Sequence, residues 1–547
     1  MNKHSGVSAC PPFEQRPSVK TLVATLFALC LVSCSGRSAG GLPPVLAPPA
    51  SAQPTASEYR QPPQLPDGWR TASASDVGLG HVPLERMTEA ICRGEEYRNI
   101  HAVLVVKDGQ LVYEEYFAGE DEHGRRGTLG HVAFDRDTPH DMRSVTKNVM
   151  SALVGIAIGS GVLRSVDQPL LDFFPEHAEL ATPERRAITL RHALDMSAGL
   201  DWNEMLPGSD SLNAAARMNR SADLVRFVWE QPIVAAPGQR WSYSGGLTQL
   251  LAEAVRRATN RPLVEFAHEV LFEPLGITDV EWYPNRGRDS PDADSGLRLR
   301  PRDMAKLGLL YQQQGRWNGR QIVPADWVAA SLRRAIALPD SLVEFGTGAT
   351  GELGYGHQWW HARYTLPYGR FTAHRAAGNG GQLIFVVPEQ QLVAVVTAGL
   401  YDKQHDSDRL VLERILPWAL GLDTSYHFWP ERTVRLVSPG DRPEVMLQAQ
   451  ERLSYVGTYD HDGARVRVWD EAGVLHMTGF AGLAGDPIHL VPLGGHVFAC
   501  GRYEGGRLVK VYWPDDRIEF VMEDGRATRF IDRTAGGHVY GTAARVP

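Results

Sequence analysis

The pattern of hydrophobic and polar positions predicts strands at both ends of a long central segment and helices between them. Residues 101–117, HAVLVVKDGQLVYEEYF, contain two β-rich runs around Asp-Gly, which predicts a hairpin. Three more strands are predicted in residues 371–378, 382–389 and 391–400, whereas residues 141–335 carry helical patterns and polar loops. We therefore expect an α+β fold with one antiparallel sheet, built from both ends of the domain and flanked by helices.

The hydrophobic pattern of the chain changes after about residue 430. Short alternating strands separated by DG, GG and EDG turns continue to Asp532. This pattern predicts an all-β module of about a hundred residues, either a small barrel or a sandwich.

The N-terminus is typical of an exported protein. Lys20 precedes TLVATLFALCLV, an apolar run with the length of a signal-peptide core and too short to span a membrane. It ends in Leu-Val-Ser-Cys34, which resembles the bacterial lipobox and makes Cys34 the expected lipidation site. By the same resemblance, Ser35 favours the outer membrane of a Gram-negative cell. An ordinary secretory signal with an incidental cysteine is the alternative.

These patterns divide the chain into four parts. Residues 1–34 are the expected lipoprotein signal peptide, and 35–66 form a linker rich in Pro, Ala, Ser and Gly that cannot bury a core. Residues 67–430 form the main domain, and 431–547 form the β module. Two acyl chains on Cys34 would anchor the protein to a membrane without a spanning helix.

Composition narrows the set of partners. A net charge of -8 and the absence of any Lys/Arg block give no electrostatic case for nucleic acid. Of five cysteines, only Cys92 and Cys500 remain after the signal peptide and Cys34, and their pairing cannot be inferred. His357 and His361 lack an acidic third ligand, and no His/Cys cluster has zinc spacing, so we expect neither metal nor cofactor.

The sharpest chemical signal is the only Ser-x-x-Lys in the chain, Ser144 to Lys147. Residues three apart share a helix face, so the Lys147 amine can reach the Ser144 hydroxyl. The run after it, NVMSALVGIAIGSG, is apolar nearly all round and predicts a buried helix that ends at Gly159–Gly161. Lysine serves as a base only when neutral, so its pKa is expected to fall from ~10.4 by roughly 2–4 units.

Two further segments add to this signal. A Pro-Gly turn at 237–238 leads to Tyr243 at the start of an amphipathic helix. The strand-turn-strand FTAHRAAGNGGQLIFVVPE, residues 371–389, has glycines that let a substrate approach backbone N–H groups. Each segment by itself is common in proteins.

Together these segments resemble the serine β-lactamase and penicillin-binding-protein superfamily. The similarity is to its class C-like branch, with D-alanyl-D-alanine carboxypeptidases, family VIII esterases and 6-aminohexanoate-dimer hydrolases. LRHALDMSAGLDWNE, LFEPLGITDVEW, RPRDMAKLGLLYQQQGRWNG and GYGHQWW extend it over about residues 70–420. These four segments look most like the 6-aminohexanoate-dimer hydrolases. The resemblance implies a β-lactamase/transpeptidase-like antiparallel sheet flanked by helices.

The resemblance also implies residue roles. Ser144 matches the acylated nucleophile, Lys147 its proton acceptor, and Tyr243 the tyrosine of the family's Tyr-x-Asn motif, which shuttles protons. The oxyanion hole would consist of the Ser144 N–H and a main-chain N–H near Asn379, next to Gly378. The implied reaction is acyl transfer to water.

Two departures from the family pattern bear on the substrate. Gly245 stands where the Tyr-x-Asn motif has asparagine, and Ala376-Ala377-Gly378 replaces Lys-Thr-Gly, with His374 two residues too early unless the register shifts. The missing strand lysine binds carboxylates in the family, so we expect a small, neutral ester or amide substrate. The side chains expected to line the cleft are Trp202, Tyr355, Trp359 and Trp360.

Two alternatives stay open. Within enzymes, the runner-up is a β-lactamase or D-alanyl-D-alanine carboxypeptidase. The alternative of another class is a non-catalytic penicillin-recognising sensor or cell-wall-binding protein. Degenerate relatives usually lose the serine, lysine or tyrosine, and here all three are present.

Overall fold

A computed structural model describes most of the chain from residue 58 to residue 546. The segments outside the description are 1–57, 95, 205–212, 286–287, 289, 339–352, 367, 402–405, 423–446, 462–463, 479–487, 505–506, 513–515, 535–538 and 547. The signal peptide, Cys34 and most of the predicted linker therefore lie outside the described residues.

The strands in chain order are β1 Ile100–Lys107, β2 Gln110–Tyr116, β3 Ala118–His123, β4 Gly127–Ala133, β5 His140–Asp141, β6 Glu281–Trp282, β7 Leu297–Leu299, β8 Arg316–Trp317, β9 Arg320–Gln321, β10 Ile336–Ala337, β11 Leu353–Gly356, β12 Trp359–Leu366, β13 Gly369–Gly378, β14 Gln382–Val387, β15 Leu392–Ala398, β16 Gly457–His461, β17 Ala464–Glu471, β18 Val474–Thr478, β19 Ile488–Gly494, β20 Val497–Glu504, β21 Arg507–Tyr512, β22 Asp516–Glu523, β23 Arg526–Thr534 and β24 Val539–Val546.

The α-helices are α1 Val82–Arg93, α2 Thr146–Gly159, α3 Pro183–Arg186, α4 Leu190–Leu194, α5 Ala214–Arg220, α6 Leu224–Trp229, α7 Gly245–Thr259, α8 Leu263–Ala267, α9 Pro301–Gln312, α10 Ala325–Ser331, α11 Ser407–Leu410, α12 Leu416–Ala419 and α13 Ala449–Tyr455. Short 3-10 turns cover Ser75–Val77, Arg143–Val145, Leu170–Phe173, Pro175–Leu180 and Pro388–Gln390, and π-helical turns cover His268–Phe272 and Val411–Ile415.

The main domain is built on an eight-stranded antiparallel sheet in the order β10-β11-β12-β13-β14-β15-β1-β2. Its central pair joins β1 to β15, so strands from the two ends of the domain meet in the middle. Strands β1, β14 and β15 are almost wholly buried because helices cover the sheet. The predicted α+β arrangement, with one sheet made from both ends of the domain, is confirmed.

The apolar run after Lys147 forms α2, and 12 of its 14 residues are buried. It packs against α7, and any Cβ at Gly155 would meet the Trp327 ring at 2.4 Å, so close packing requires glycine there. The helix ends at Gly159, with Gly161 in the left-handed region at φ 78°. The predicted buried helix and its end are both confirmed.

The C-terminal module is an antiparallel barrel with its own hydrophobic core. Strands β16–β20 and β22–β24 follow the order β19-β18-β17-β16-β24-β23-β22-β20, and the pairing of β19 with β20 closes the ring. Strand β21 pairs with the second half of β20. Tyr459, Phe520 and Phe530 pack edge to face inside it. Of the two architectures that the sequence left open, the structure has the barrel.

Residues at the predicted linker boundary contact the main domain. Tyr59 donates from its hydroxyl to the Val112 carbonyl at 2.8 Å, and Trp69, 2% exposed, donates from its indole to the Arg302 carbonyl at 3.3 Å. Contacts with the main domain thus begin before residue 67.

Cys500 is buried in the barrel and does not pair with Cys92. Within the described part of the chain, none of the helices has both the length and the apolar character of a membrane span.

Candidate active site

Ser144 lies in a sharp turn at the entrance of α2. Arg143 has φ 48°, in the left-handed region that non-glycine residues seldom adopt, and residues 143–145 form a 3-10 turn that leads into the helix. Ser144 is half-buried, whereas the residues from 145 to 157 are all buried. The turn therefore leaves the serine hydroxyl accessible at the end of an otherwise enclosed helix.

Lys147 contacts Ser144 as the i, i+3 spacing predicts. Its Nζ donates to Ser144 Oγ at 3.1 Å and to the Asp294 carbonyl at 3.0 Å, and the side chain is 1% exposed. Two carboxylates flank the amine, since Nζ lies 3.7 Å from Asp294 Oδ2 and 3.9 Å from Glu204 Oε1. The amine is thus enclosed between the serine hydroxyl and two acidic side chains.

The charges around Lys147 reverse the expected shift in its pKa. Burial by itself lowers the pKa of Lys147, but the Tyr243 hydroxyl and the carboxylates of Asp294 and Glu204 together raise it above its ordinary value. The predicted fall in pKa is therefore wrong for the protein without substrate. Lys147 is an ammonium ion near neutral pH.

Tyr243 is positioned by the start of α7. The next residue, Ser244, caps the helix by accepting from the Leu247 N–H at 3.2 Å, and its extended backbone directs the chain into the site. Lys147 Nζ lies 4.9 Å from the centre of the Tyr243 ring. Burial raises the pKa of Tyr243, while the Lys147 charge and hydrogen bonds from Ser144 and Lys147 oppose that rise. The structure thus brings Ser144, Lys147 and Tyr243 together.

Two acidic residues that the sequence analysis missed occupy the space of the absent asparagine side chain. A Cβ at Gly245 would meet Asp294 Oδ2 at 2.6 Å and Glu204 Oε2 at 3.2 Å. Glu204 Oε2 accepts from the Gly245 N–H at 2.6 Å and from the Trp202 indole at 2.8 Å. An asparagine side chain at position 245 would not fit, because the two carboxylates fill that space. Glu204 is the last residue of LRHALDMSAGLDWNE, one of the segments that carry the family resemblance. That segment was the sequence signal from which Glu204 could have been identified as a site residue.

The acidic group continues behind Lys147. Gln249 donates to Asp294 Oδ1 at 2.6 Å, and Arg125 pairs with Asp292 at 2.9 Å. Burial, followed by the charge of Asp294, raises the pKa of Asp292 to about 7. Burial also raises the pKa of Glu204, against the attraction of Lys147. Of these carboxyl groups, Asp292 can therefore hold a proton near neutral pH.

Gly378 and Asn379 lie at the end of β13, next to the Ser144 turn. A Cβ at Gly378 would meet the Met142 carbonyl oxygen at 2.5 Å and the Arg143 Cβ at 3.1 Å, so only glycine lets the strand come this close. Asn379 is exposed, and Gly380 and Gly381 continue the turn at φ 95° and 100°. The predicted oxyanion residues thus border the turn that carries Ser144.

The altered strand motif carries no cation. Pairing of β13 with β12 runs from Gly369 to Arg375 and pairing with β14 runs from His374 to Gly378, without a register shift in either, so His374 does not take the place of the missing lysine. His374 is buried next to His361, and burial together with that neighbour lowers the pKa of His374 to about 3. Arg375 forms a buried ion pair with Asp408 at 2.8 Å. The end of this strand next to Ser144 therefore offers no free positive charge for a carboxylate.

The four predicted cleft aromatics divide into two groups. Tyr355 and Trp360 pack around Tyr243, with the Trp360 ring stacked on the Tyr243 ring at 5.7 Å. Trp359 instead points into the core and packs against Tyr311. Trp202 donates a hydrogen bond from its indole to Glu204 and so helps to hold that carboxylate in place. Trp241, which the sequence analysis did not single out, completes the wall beside Trp360.

His357 has a structural partner. Its Nδ1 lies 2.7 Å from Asp195 Oδ1, and its backbone N–H donates to the same oxygen. His357 therefore ties β11 and the turn after it to the segment after α4.

Comparison with known proteins agrees with the family resemblance found in the sequence motifs. The beta-lactamase family model matches residues 97–414. A 6-aminohexanoate-dimer hydrolase of Paenarthrobacter ureafaciens is 26% identical over 318 residues, which are 56% of this chain and 74% of that protein. Esterase EstB of Burkholderia gladioli is 28% identical over 194 residues, 34% of this chain and less than half, 47%, of the esterase.

Several solved structures cover most of the chain. The octameric penicillin-binding protein homologue from Pyrococcus abyssi is 17% identical, spans 84% of this chain and 100% of its own, and has a TM-score of 0.49.

Proposed function

This chain belongs to the beta-lactamase family and is a serine hydrolase, and we propose that it cleaves small esters or amides through an acyl-enzyme formed on Ser144. The observation that carries the proposal is the 3.1 Å contact between Lys147 Nζ and the half-buried Ser144 hydroxyl. An esterase and an amide hydrolase among its relatives support both substrate classes.

The proposed base is the Lys147–Tyr243 pair after it has lost one proton. In that state it takes the Ser144 proton while Oγ attacks the carbonyl carbon, and Tyr243 then gives a proton to the departing alcohol or amine. Water repeats the sequence on the acyl-enzyme, so that the pair accepts the water proton and the Ser144 hydroxyl is restored. Both pKa values are raised, so the reactive form accumulates as pH increases.

The proposed oxyanion hole consists of the Ser144 N–H and a main-chain N–H at Asn379. The contact of Gly378 with residues 142–143 supports it by bringing the strand end close to the serine turn. Such donors act on charge that appears only during the reaction, and removing one typically costs ~10²–10³ in rate.

The lining of the site supports a neutral substrate with an apolar part. Trp241 and Trp360 are partly exposed beside Tyr243, and the β13 motif has alanines where the family has a cation. Acidic side chains at Glu204 and Asp294 disfavour anions further. A β-lactamase or D-alanyl-D-alanine carboxypeptidase, whose substrates carry carboxylates, is the weaker candidate.

The test is a panel of p-nitrophenyl esters, anilides and nitrocefin with two matched variants. Ser144→Ala should lose ester turnover by at least about 10³-fold and lose labelling by a fluorophosphonate probe. Ser160→Ala, which removes a serine from the far end of α2, should keep both. Retained turnover in Ser144→Ala, or nitrocefin as the best substrate, would contradict the proposal.

We further propose that the protein is exported and anchored through lipid on Cys34. The apolar run followed by Leu-Val-Ser-Cys supports this. In a bacterial host, Cys34→Ala should move the protein from the membrane fraction to the soluble fraction, and Cys92→Ala should not. Unchanged fractionation of Cys34→Ala would rule the anchor out.

A further inference from the structure

Three buried side chains from three different strands converge on one point of the main domain. His101 of β1 and His140 of β5 are both fully buried, and Asp121 of β3 is 5% exposed. His101 Nδ1 lies 2.9 Å from His140 Nε2, which lies 3.7 Å from Asp121 Oδ1, and all three ligand atoms are within 4.8 Å of one another. The proposed hydrolase mechanism uses none of them.

The backbone around His101 is specialised. The pairing of β1 with β15 skips His101, which makes it the extra residue of a β-bulge that redirects its side chain. A Cβ at Gly119 or at Gly399 would come within 2.8 Å and 2.6 Å of the His101 ring, so glycine is required on both sides. Phe134 stacks on the ring at 4.1 Å. The imidazole is held in one orientation.

Hydrogen bonds fix which ring nitrogen of His101 carries a proton. The Asn99 amide accepts from the Glu120 N–H through Oδ1 and donates to the Glu120 carbonyl through Nδ2, so its orientation is set. His101 Nε2 lies 3.3 Å from that Oδ1, an acceptor. The favoured tautomer therefore protonates Nε2 and leaves a lone pair on Nδ1.

The same reasoning applies to His140. Its Nδ1 lies 3.1 Å from the Asp141 carbonyl oxygen, which can only accept, so Nδ1 carries the proton and Nε2 carries a lone pair. The two lone pairs thus face each other, with a carboxylate oxygen beside them. Such an arrangement is repulsive unless a cation lies between these atoms.

The geometry points to a divalent transition-metal site formed by His101 Nδ1, His140 Nε2 and Asp121 Oδ1, and we propose Zn²⁺ as the ion. Metal-binding histidines almost always donate their other N–H to a carboxylate, a backbone carbonyl or water. Here His140 donates to a backbone carbonyl, and His101 donates to the carboxamide oxygen of Asn99. Tetrahedral zinc with Zn–N of 2.0–2.1 Å needs the two nitrogens about 3.3 Å apart, which requires only a small separation of the rings.

The site would tie the β3–β4 hairpin to the catalytic sheet. Tyr401 donates from its hydroxyl to Asp121 Oδ1 at 2.7 Å, and its ring packs on Gly380 in the proposed oxyanion turn. Because all three ligands are buried, the metal would be structural and would not contact substrate. The inference does not rest on the proposed hydrolase function.

The test is metal binding by the purified full-length protein after treatment with a chelator. Titration calorimetry with Zn²⁺ should give one site per chain, and Co²⁺ should give a visible absorption spectrum typical of nitrogen and oxygen ligation. Zn²⁺ should also raise Tm, and EDTA should reverse the rise. Wild-type protein that binds no stoichiometric Zn²⁺ would overturn the proposal and leave a hydrogen-bonded histidine pair.

Matched variants distinguish this site from an adventitious surface ion. Asp121→Asn keeps an acceptor for Tyr401 but removes the anionic ligand, and His140→Gln removes a nitrogen ligand; each should weaken Zn²⁺ binding by at least about 10–100-fold. His131→Gln removes an exposed imidazole beside Glu120 on the same hairpin and should leave affinity unchanged. Loss of affinity in His131→Gln alone would place the ion on the surface and overturn the proposal.

Discussion

The main domain buries two lysines in helices, and they differ in what contacts the amine. Lys306 in α9 forms a direct ion pair with Asp303 at 2.9 Å and donates to the Gly276 carbonyl at 3.1 Å. Lys147 in α2 keeps its two carboxylates at 3.7 and 3.9 Å and gives its shortest contacts to a carbonyl and to the Ser144 hydroxyl. Burial alone thus does not identify a reactive lysine. The two lysines differ in the group closest to the amine, which is a carboxylate at Lys306 and an uncharged oxygen at Lys147.

The largest expected effect is on activity. Lys147→Ala removes half of the proposed base pair, so kcat/KM for ester hydrolysis should fall by about 10²–10⁴-fold. Circular dichroism and Tm should show a folded protein, because alanine is a strong helix former and α2 keeps its buried apolar residues. Activity within threefold of the wild type would mean that Lys147 has the same structural role as Lys306.

The second effect is on stability. Lys306→Met leaves the Asp303 carboxylate buried without its amine partner, although Arg300 also pairs with Asp303 at 2.9 Å. Removing one partner of a buried pair typically costs about 3–5 kcal/mol of unfolding free energy, and the arginine keeps this loss at the lower end. Denaturant unfolding measures the loss. The folded fraction should keep its kcat, since Lys306 lies outside the proposed site.

The third effect is a shift in pH dependence. Glu204→Gln keeps an oxygen that can accept from Gly245 and Trp202, but it removes the negative charge 3.9 Å from Lys147. An ammonium ion that loses a nearby anion has a lower pKa, so the ascending limb of kcat/KM should move to lower pH by about 1 unit. Glu281→Gln, whose carboxylate pairs with Arg126 and Arg298 and not with Lys147, is a matched control. A shift to higher pH would refute the electrostatic account.

The smallest effect concerns the aromatic neighbour of Lys306. The Lys306 amine lies 5.9 Å from the centre of the Trp317 ring, compared with 4.9 Å between Lys147 and Tyr243. Trp317→Phe keeps a weaker ring in place and should cost about 1 kcal/mol or less in thermal unfolding, with unchanged kcat. Tyr243→Phe also keeps a ring near its lysine, but it removes the hydroxyl and should reduce kcat strongly. Equal effects of these two substitutions on kcat would contradict the contrast between the lysines.

Local sequence spacing predicted the half of the site that lies on one helix. Ser144 and Lys147 meet because positions three apart share a face, and the apolar run predicted the burial of α2. The pKa of Lys147 could not be predicted in the same way. Its direction depends on Tyr243, Asp294 and Glu204, which come from segments far along the chain and which together outweigh the desolvation of the amine.

The same limit applies elsewhere in the fold. Alternating strands predicted the C-terminal β module, but closure into a barrel depends on the pairing of β19 with β20, which no local pattern specifies. Likewise His101, Asp121 and His140 lie in three separate strands with no metal-ligand spacing in sequence. Apart from the joining of both ends of the domain in one sheet, features fixed by neighbours in sequence were predictable, and features fixed by long-range contacts were not.

The central pairing of β1 with β15 has a consequence for how the domain folds. Ile100 pairs with Ala398, so β1 acquires one of its two partners only after almost the whole domain has been synthesised. Until then β1, which is apolar along most of its length, presents an open edge that can pair with other chains. Contacts this distant in sequence slow folding, so we expect a slow refolding phase and aggregation of fragments that end before β15.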